Sequence, residues 1–90
     1  MANYNGWTNY ETWNVALWLD NEWSDYKHWT EEARSLKDEN HRVAILADRL
    51  KEAVEENAPD LGPTMYADLL NASLSEVNWY EIAQHYFEDI

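Results

Sequence analysis

The stretch NHRVAILADRLKEAVEEN, residues 40–57, decides the fold class. Val43, Leu46, Ala47, Leu50 and Val54 follow the steps i, i+3, i+4, i+7 and i+11. A chain turning by about 100° per residue puts such positions on one side of a helix. Asp38 with Arg42, and Lys51 with Glu55, are spaced for i,i+4 pairs. Each pair contributes only about 0.2–0.5 kcal/mol, and the helix is expected to neutralise its own bases locally. The turn NAPDLGP ends it, with Pro59, Gly62 and Pro63 as breakers.

The same period extends outward in both directions. On the N-terminal side a helix is predicted from about Ser24 or Asp25 to Leu36. Its apolar stripe is Tyr26, Trp29, Ala33 and Leu36, Ser24 is the expected N-cap, and Asp25 suits the positive end of the helix dipole. Before it, TNYE has the capping-box pattern, with Thr8 and Glu11 reciprocating, and opens a helix that runs to about Asp20 or Asn21. Within that helix VALWL, residues 15–19, is apolar on every side. Such a segment is expected to be buried on most of its surface or covered by a partner, a second copy of the chain among them. On the C-terminal side a helix over about 63–73 begins near Pro63, and Tyr66, Leu69, Leu70 and Leu74 line one side. The last helix opens at VNWYEI, with Asn78 as cap, Glu81 at the third helical position and Val77 placed to staple to Ile82. Trp79, Ile82, Ala83, Tyr86, Phe87 and Ile90 form its apolar face. The expected fold is all-α, a compact bundle of about five short helices in a single domain over residues 1–90.

Composition narrows the functional classes. The chain has no cysteine, which removes disulfides, thiolate metal sites and cysteine nucleophiles. MANYNGW has neither the basic region nor the apolar run of a signal peptide, and no apolar run approaches the roughly 20 residues that span a bilayer. A cytoplasmic protein with no membrane partner is expected. His28, His41 and His85 lie far apart and form no metal motif. Only Gly6 and Gly62 are glycines, too few for a phosphate-cradling loop, and no G-x-S-x-G elbow occurs. Neither enzyme activity nor a cofactor or metal is expected.

Charge is unevenly distributed. Eighteen acids against six bases give a net charge of −12. All the bases, from Lys27 to Lys51, fall in the middle, and residues 1–26 and 52–90 have none. Such a chain repels phosphate backbones, so no direct nucleic-acid binding is expected. The base-free C-terminal part instead offers Glu52, Glu55, Glu56, Asp60, Asp68, Glu76, Glu81, Glu88 and Asp89 as a surface for a protein partner with a basic groove. The plain alternative for these acids is a solvated outer face that maintains solubility.

Aromatic density is the other distinctive feature. Trp7, Trp13, Trp18, Trp23 and Trp29 follow one another at steps of five or six, too irregular for one helical stripe. Trp13 and Trp18 are expected in the core. Trp7, Trp23 and Trp29 are candidates for a docking face, with core packing as the plain alternative.

TNYETWNVALWLDN (residues 8–21) and ADLLNASLSEVNWYEIAQHY (residues 67–86) resemble the two ends of a family of small acidic proteins of uncharacterised function, encoded by bacteriophages, plasmids and related bacterial genomes. The resemblance implies an inhibitor of host defence, of the anti-restriction or anti-CRISPR kind, that imitates the charge of DNA in the host cytoplasm. The competing expectation is a helical adaptor or assembly factor docking through exposed aromatics.

Overall fold

Five helices joined by short connections make up a computed structural model that describes residues 4–90. They are α1 (Tyr10–Asn21), α2 (Trp23–Leu36), α3 (Arg42–Asn57), α4 (Met65–Ser75) and α5 (Trp79–Glu88). The all-α bundle expected from periodicity is the observed fold. The predicted stripes of α2, α3 and α5 supply the core, which centres on Trp29, Ala33, Leu36, Leu46, Ala47, Leu50, Ile82, Ala83 and Tyr86. α3 and α5 form the most extensive pairing, α2 packs on both, and α1 lies against α2 and α5.

Local chemistry moves several helix ends by a residue. Asn9, not Thr8, caps α1, its Oδ1 accepting from the Thr12 N–H at 2.9 Å. The Thr8 N–H donates to Glu81 Oε1 at 3.1 Å, so Glu81 reaches the start of α1. α2 begins at Trp23 with no side-chain cap, so Ser24 lies inside the helix rather than capping it. Glu22 alone separates α1 from α2. α4 is capped by Thr64, whose Oγ1 accepts from the Ala67 N–H at 3.2 Å, with Pro63 just outside. Asn78 caps α5 as predicted, accepting from the Glu81 N–H at 3.1 Å.

Three expectations about packing are corrected. Trp18 is not in the core: within VALWL, Ala16 and Leu19 are buried and Val15 is half-buried, but Leu17 and Trp18 are exposed on the single chain. The buried positions Thr12, Ala16 and Leu19 define one side of α1, and Trp18 lies about 130° round from that side. Trp18 is therefore a surface residue, 69% exposed, while Trp13 is half-buried. Secondly, α4 buries none of its residues, and only its last turn reaches the core, through Leu74. Met65, Tyr66 and Leu69 are exposed. Thirdly, the bases of α3 are not neutralised within that helix. The ion pair among the described residues joins α3 to α2, Arg49 Nη1 to Glu32 Oε1 at 3.2 Å. The Arg42 Nη1–H donates instead to the Lys37 carbonyl at 2.7 Å, and the guanidinium lies 5.1 Å from the Phe87 ring centre.

Tyr4 to Trp7 form a tight turn whose central residues, Asn5 (φ 56°) and Gly6 (φ 92°), both have positive φ. The Trp7 N–H donates to the Tyr4 carbonyl at 3.0 Å. An Asn-Gly pair favours this geometry because neither residue resists the left-handed region strongly. The turn delivers Trp7 onto α5, where its indole stacks on His85 with centroids 4.1 Å apart.

Candidate functional site

The sequence-predicted acids occupy several faces. On α3, Leu46 and Leu50 fix the buried direction, and Asp48, Glu52, Glu55 and Glu56 lie opposite, all exposed. Asp48, Glu52 and Glu56 are successive i+4 positions, about 6 Å apart along the axis. They form a ridge, and none of the four belongs to an ion pair among the described residues. Glu88 is exposed on α5, and because α3 and α5 pack on each other their outer faces turn apart. Asp60 closes a local turn, accepting from the Gly62 N–H at 3.0 Å. Asp68 and Glu76 are exposed at the two ends of α4. Half-buried Glu81 is tied to Thr8. Of the nine acids proposed from sequence, Glu52, Glu55 and Glu56 are brought together, and Asp48 is an addition that inspection of base-free segments missed.

The aromatics separate cleanly. Trp29 is 6% exposed and belongs to the core, which removes it from the docking candidates. Trp7 is half-buried against the core. Trp23 is 73% exposed, and with Tyr26, Lys27, Thr30, Glu31 and Arg34 it lines an open groove along α2. Trp23 also starts a chain of rings leading inward, 6.1 Å to Tyr26 and 6.5 Å from there to Tyr86.

Tyr86 lines a cavity of about 40 Å³ between α1 and α5, together with Trp7, Ala16, Asp20, Ile82, His85 and Asp89. The Tyr86 side chain is 5% exposed, and its hydroxyl is buried without a hydrogen-bond partner among the described residues. Burial first, and then the charges of Asp20, Asp25, Tyr26 and Asp89, push its phenol well above the ordinary tyrosine range. Asp20 opens to solvent at the cavity mouth. Partial burial, followed by the charge of Asp89, raises its carboxyl above the ordinary aspartate range, and His85 acts in the opposite direction. In both groups burial is the leading cause of the shift, and the neighbouring carboxylates add to it. Sequence reading missed this cavity because its walls come from three separate segments. The Asn5-Gly6 pair was the available signal that Trp7 turns back onto the bundle.

Among the described residues no helix is long and apolar enough to cross a membrane, and no group of three or more His, Asp or Glu side chains is arranged to hold a metal ion. Comparison with curated proteins and with solved structures gave no match. The two end motifs of the sequence meet in space through Thr8, Asn9, Thr12, Glu76, Asn78 and Glu81. The chain belongs to the family of unknown function DUF7249, which matches it over residues 1–89.

Proposed function

We propose that this protein is a non-enzymatic inhibitor of a nucleic-acid-processing or defence enzyme, of the anti-restriction or anti-CRISPR kind. It lays an acidic ridge into the basic groove that otherwise holds DNA. The observation that carries the reading is the outer face of α3, where Asp48, Glu52, Glu55 and Glu56 stand exposed and outside any ion pair among the described residues. Electrostatic steering brings such a ridge to a basic groove rapidly and sets its orientation there. A phage or plasmid origin, and action in the host cytoplasm, belong to the same proposal. Binding to purified restriction and CRISPR effector nucleases over a salt series tests it. The affinity is expected to fall steeply with salt and to drop when Glu52, Glu55 and Glu56 are changed together to Gln. Affinity indifferent to both would sink the charge-based mechanism.

A second reading is supported by the exposed indoles of Trp18 and Trp23. In it the protein is an adaptor or assembly factor that docks through aromatics, which are over-represented at binding hot spots. Trp23→Ala separates the two: it leaves the salt-dependent complex intact under the first reading and abolishes binding under the second.

A further inference from the structure

Lys27, Arg34, Lys37 and Arg42, four of the six bases of the chain, line two open grooves that share Arg34. We propose that the two form one docking surface along α2 for an acidic amphipathic helix of a partner protein. Its carboxylates meet these four bases, and its apolar side chains pack on Trp23 at one end and Phe87 at the other. The inference does not rest on the inhibitor reading. It shares Trp23 with the second reading and goes beyond it by giving the partner's charge and shape.

Spacing, charge and preorganisation converge on this partner. Trp23, Lys27, Thr30, Arg34 and Lys37 follow one another at steps of four, three, four and three. Those steps average 3.5 residues, the period that keeps one side of a helix against a neighbouring helix along its length. The seam extends about 21 Å. Thr30 is half-buried and the other four are exposed, while Trp29, Ala33 and Leu36 turn the opposite side of α2 to the core. The bases are unmet within the chain. Glu31 is the carboxylate side chain on the first groove, and none lines the second. The ion pair among the described residues uses Arg49, so Lys27, Arg34, Lys37 and Arg42 have no ion-pair partner there, in a chain with eighteen acids. Arg42 is already set in place, donating to the Lys37 carbonyl with its guanidinium 5.1 Å from the Phe87 ring centre. Its planar fork suits a carboxylate, and its position costs little further ordering on binding. A nucleic-acid strand would bring a charge with every nucleotide into the field of a protein of net charge −12, and a second copy would bring another −12. An amphipathic helix confines its carboxylates to the side that meets the bases.

The test uses the full-length protein and helix-stabilised peptides of about 16 residues, long enough to cover the seam. Leucines form the apolar stripe of each peptide, and glutamates stand at i, i+3 and i+10, the spacing of Lys37, Arg34 and Lys27 read backwards along α2. Control peptides carry glutamine or lysine in place of glutamate, and a thymidine oligonucleotide represents a nucleic-acid strand. Calorimetry gives the affinities, and nuclear magnetic resonance follows the Trp23 indole N–H. Saturable binding that shifts Trp23 and weakens with salt is expected with the glutamate peptide and not with its controls. Arg34→Gln combined with Lys37→Gln is expected to weaken it about tenfold or more, and Trp23→Ala several-fold. Changing Glu52, Glu55 and Glu56 to Gln is expected to leave it in place. Absence of saturable binding overturns the proposal. Equal binding of the glutamine peptide also overturns it, and leaves aromatic docking standing without the charge. Tighter binding of the oligonucleotide overturns it in favour of a nucleic-acid strand. Self-association in light scattering that the Arg34 and Lys37 double variant abolishes overturns it in favour of a second copy. Should the double variant lose its helical circular dichroism, Lys27→Gln decides: weaker binding supports the proposal and unchanged binding overturns it.

Discussion

Thr12 holds two distant parts of the chain together. It is fully buried, and its Oγ1 accepts the Asn78 backbone N–H at 2.8 Å, one of the donors that a helix start leaves without an intrahelical partner. Asn9 Nδ2 donates to the Glu76 carbonyl at 2.7 Å, and Glu81 accepts from Thr8, so the beginnings of α1 and α5 clasp each other. Thr12→Val keeps the shape and removes the acceptor. It is expected to cost about 1–3 kcal/mol in urea unfolding, because the Asn78 N–H is left partly buried and unmade. Asp20 has the opposite sense. Its folded-state carboxyl is raised by burial and then by Asp89, so ionisation disfavours the fold. Between the ordinary aspartate value and the raised one the native state binds the extra proton, and the stability contributed by Asp20 falls as pH rises through that window. Asp20→Asn is therefore expected to melt at a higher temperature than the parent at neutral pH, with the difference fading below the ordinary aspartate range. At this scale the Asn78 cap was legible, because capping depends on adjacent sequence. Thr12 was not, since its partner lies 66 positions away. Trp18 was misplaced because apolar character alone does not reveal which side of a helix meets a neighbour.

Among the elements, α4 stands apart. Its apolar positions Tyr66, Leu69, Leu70 and Leu74 have a helical period as regular as that of α3, yet no residue of α4 is buried. Periodicity states which residues share a face. It does not state whether another element comes to cover it. The stripes of α2, α3 and α5 were legible because those three helices cover one another, and the contrast has a measurable consequence. Leu50 is fully buried and Leu69 is mostly exposed. Leu50→Ala is expected to cost about 2–5 kcal/mol, and Leu69→Ala no more than about 0.5 kcal/mol. Native-state hydrogen exchange should likewise show the α4 amides opening well below the global unfolding free energy, while α3 and α5 exchange near it. Equal protection across α4 and α3 would mean that α4 is covered in solution. Within α3 the pattern of acids has the same geometric origin as the core. Once Leu46 and Leu50 face inward, Asp48, Glu52, Glu55 and Glu56 must face outward.

The whole molecule measures 42 × 33 × 25 Å and has a net charge of −12. A duplex of that greatest length bears roughly 25 charges, so the protein does not match DNA overall. Exposed acids gather locally on α3, while Arg34, Lys37 and Arg42 gather around Phe87 on another part of the surface. Fold class was readable from hydrophobic period because each helix states its own. The distribution of acids over faces was not, since it depends on how the helices dock, and the cavity at Tyr86 depends on three segments meeting. The molecule is thus a helical frame clasped at the starts of α1 and α5, with an exposed acidic ridge on its outer side that forms no ion pair among the described residues. The most direct measurement is competition between this protein and duplex DNA for a purified restriction or CRISPR nuclease that it binds, repeated over a salt series with the parent and with Glu52, Glu55 and Glu56 all changed to Gln. Mutually exclusive binding is predicted, weakening with salt and falling about tenfold or more in the triple variant. A ternary complex with DNA, or an affinity that salt and the triple variant leave unchanged, would contradict it.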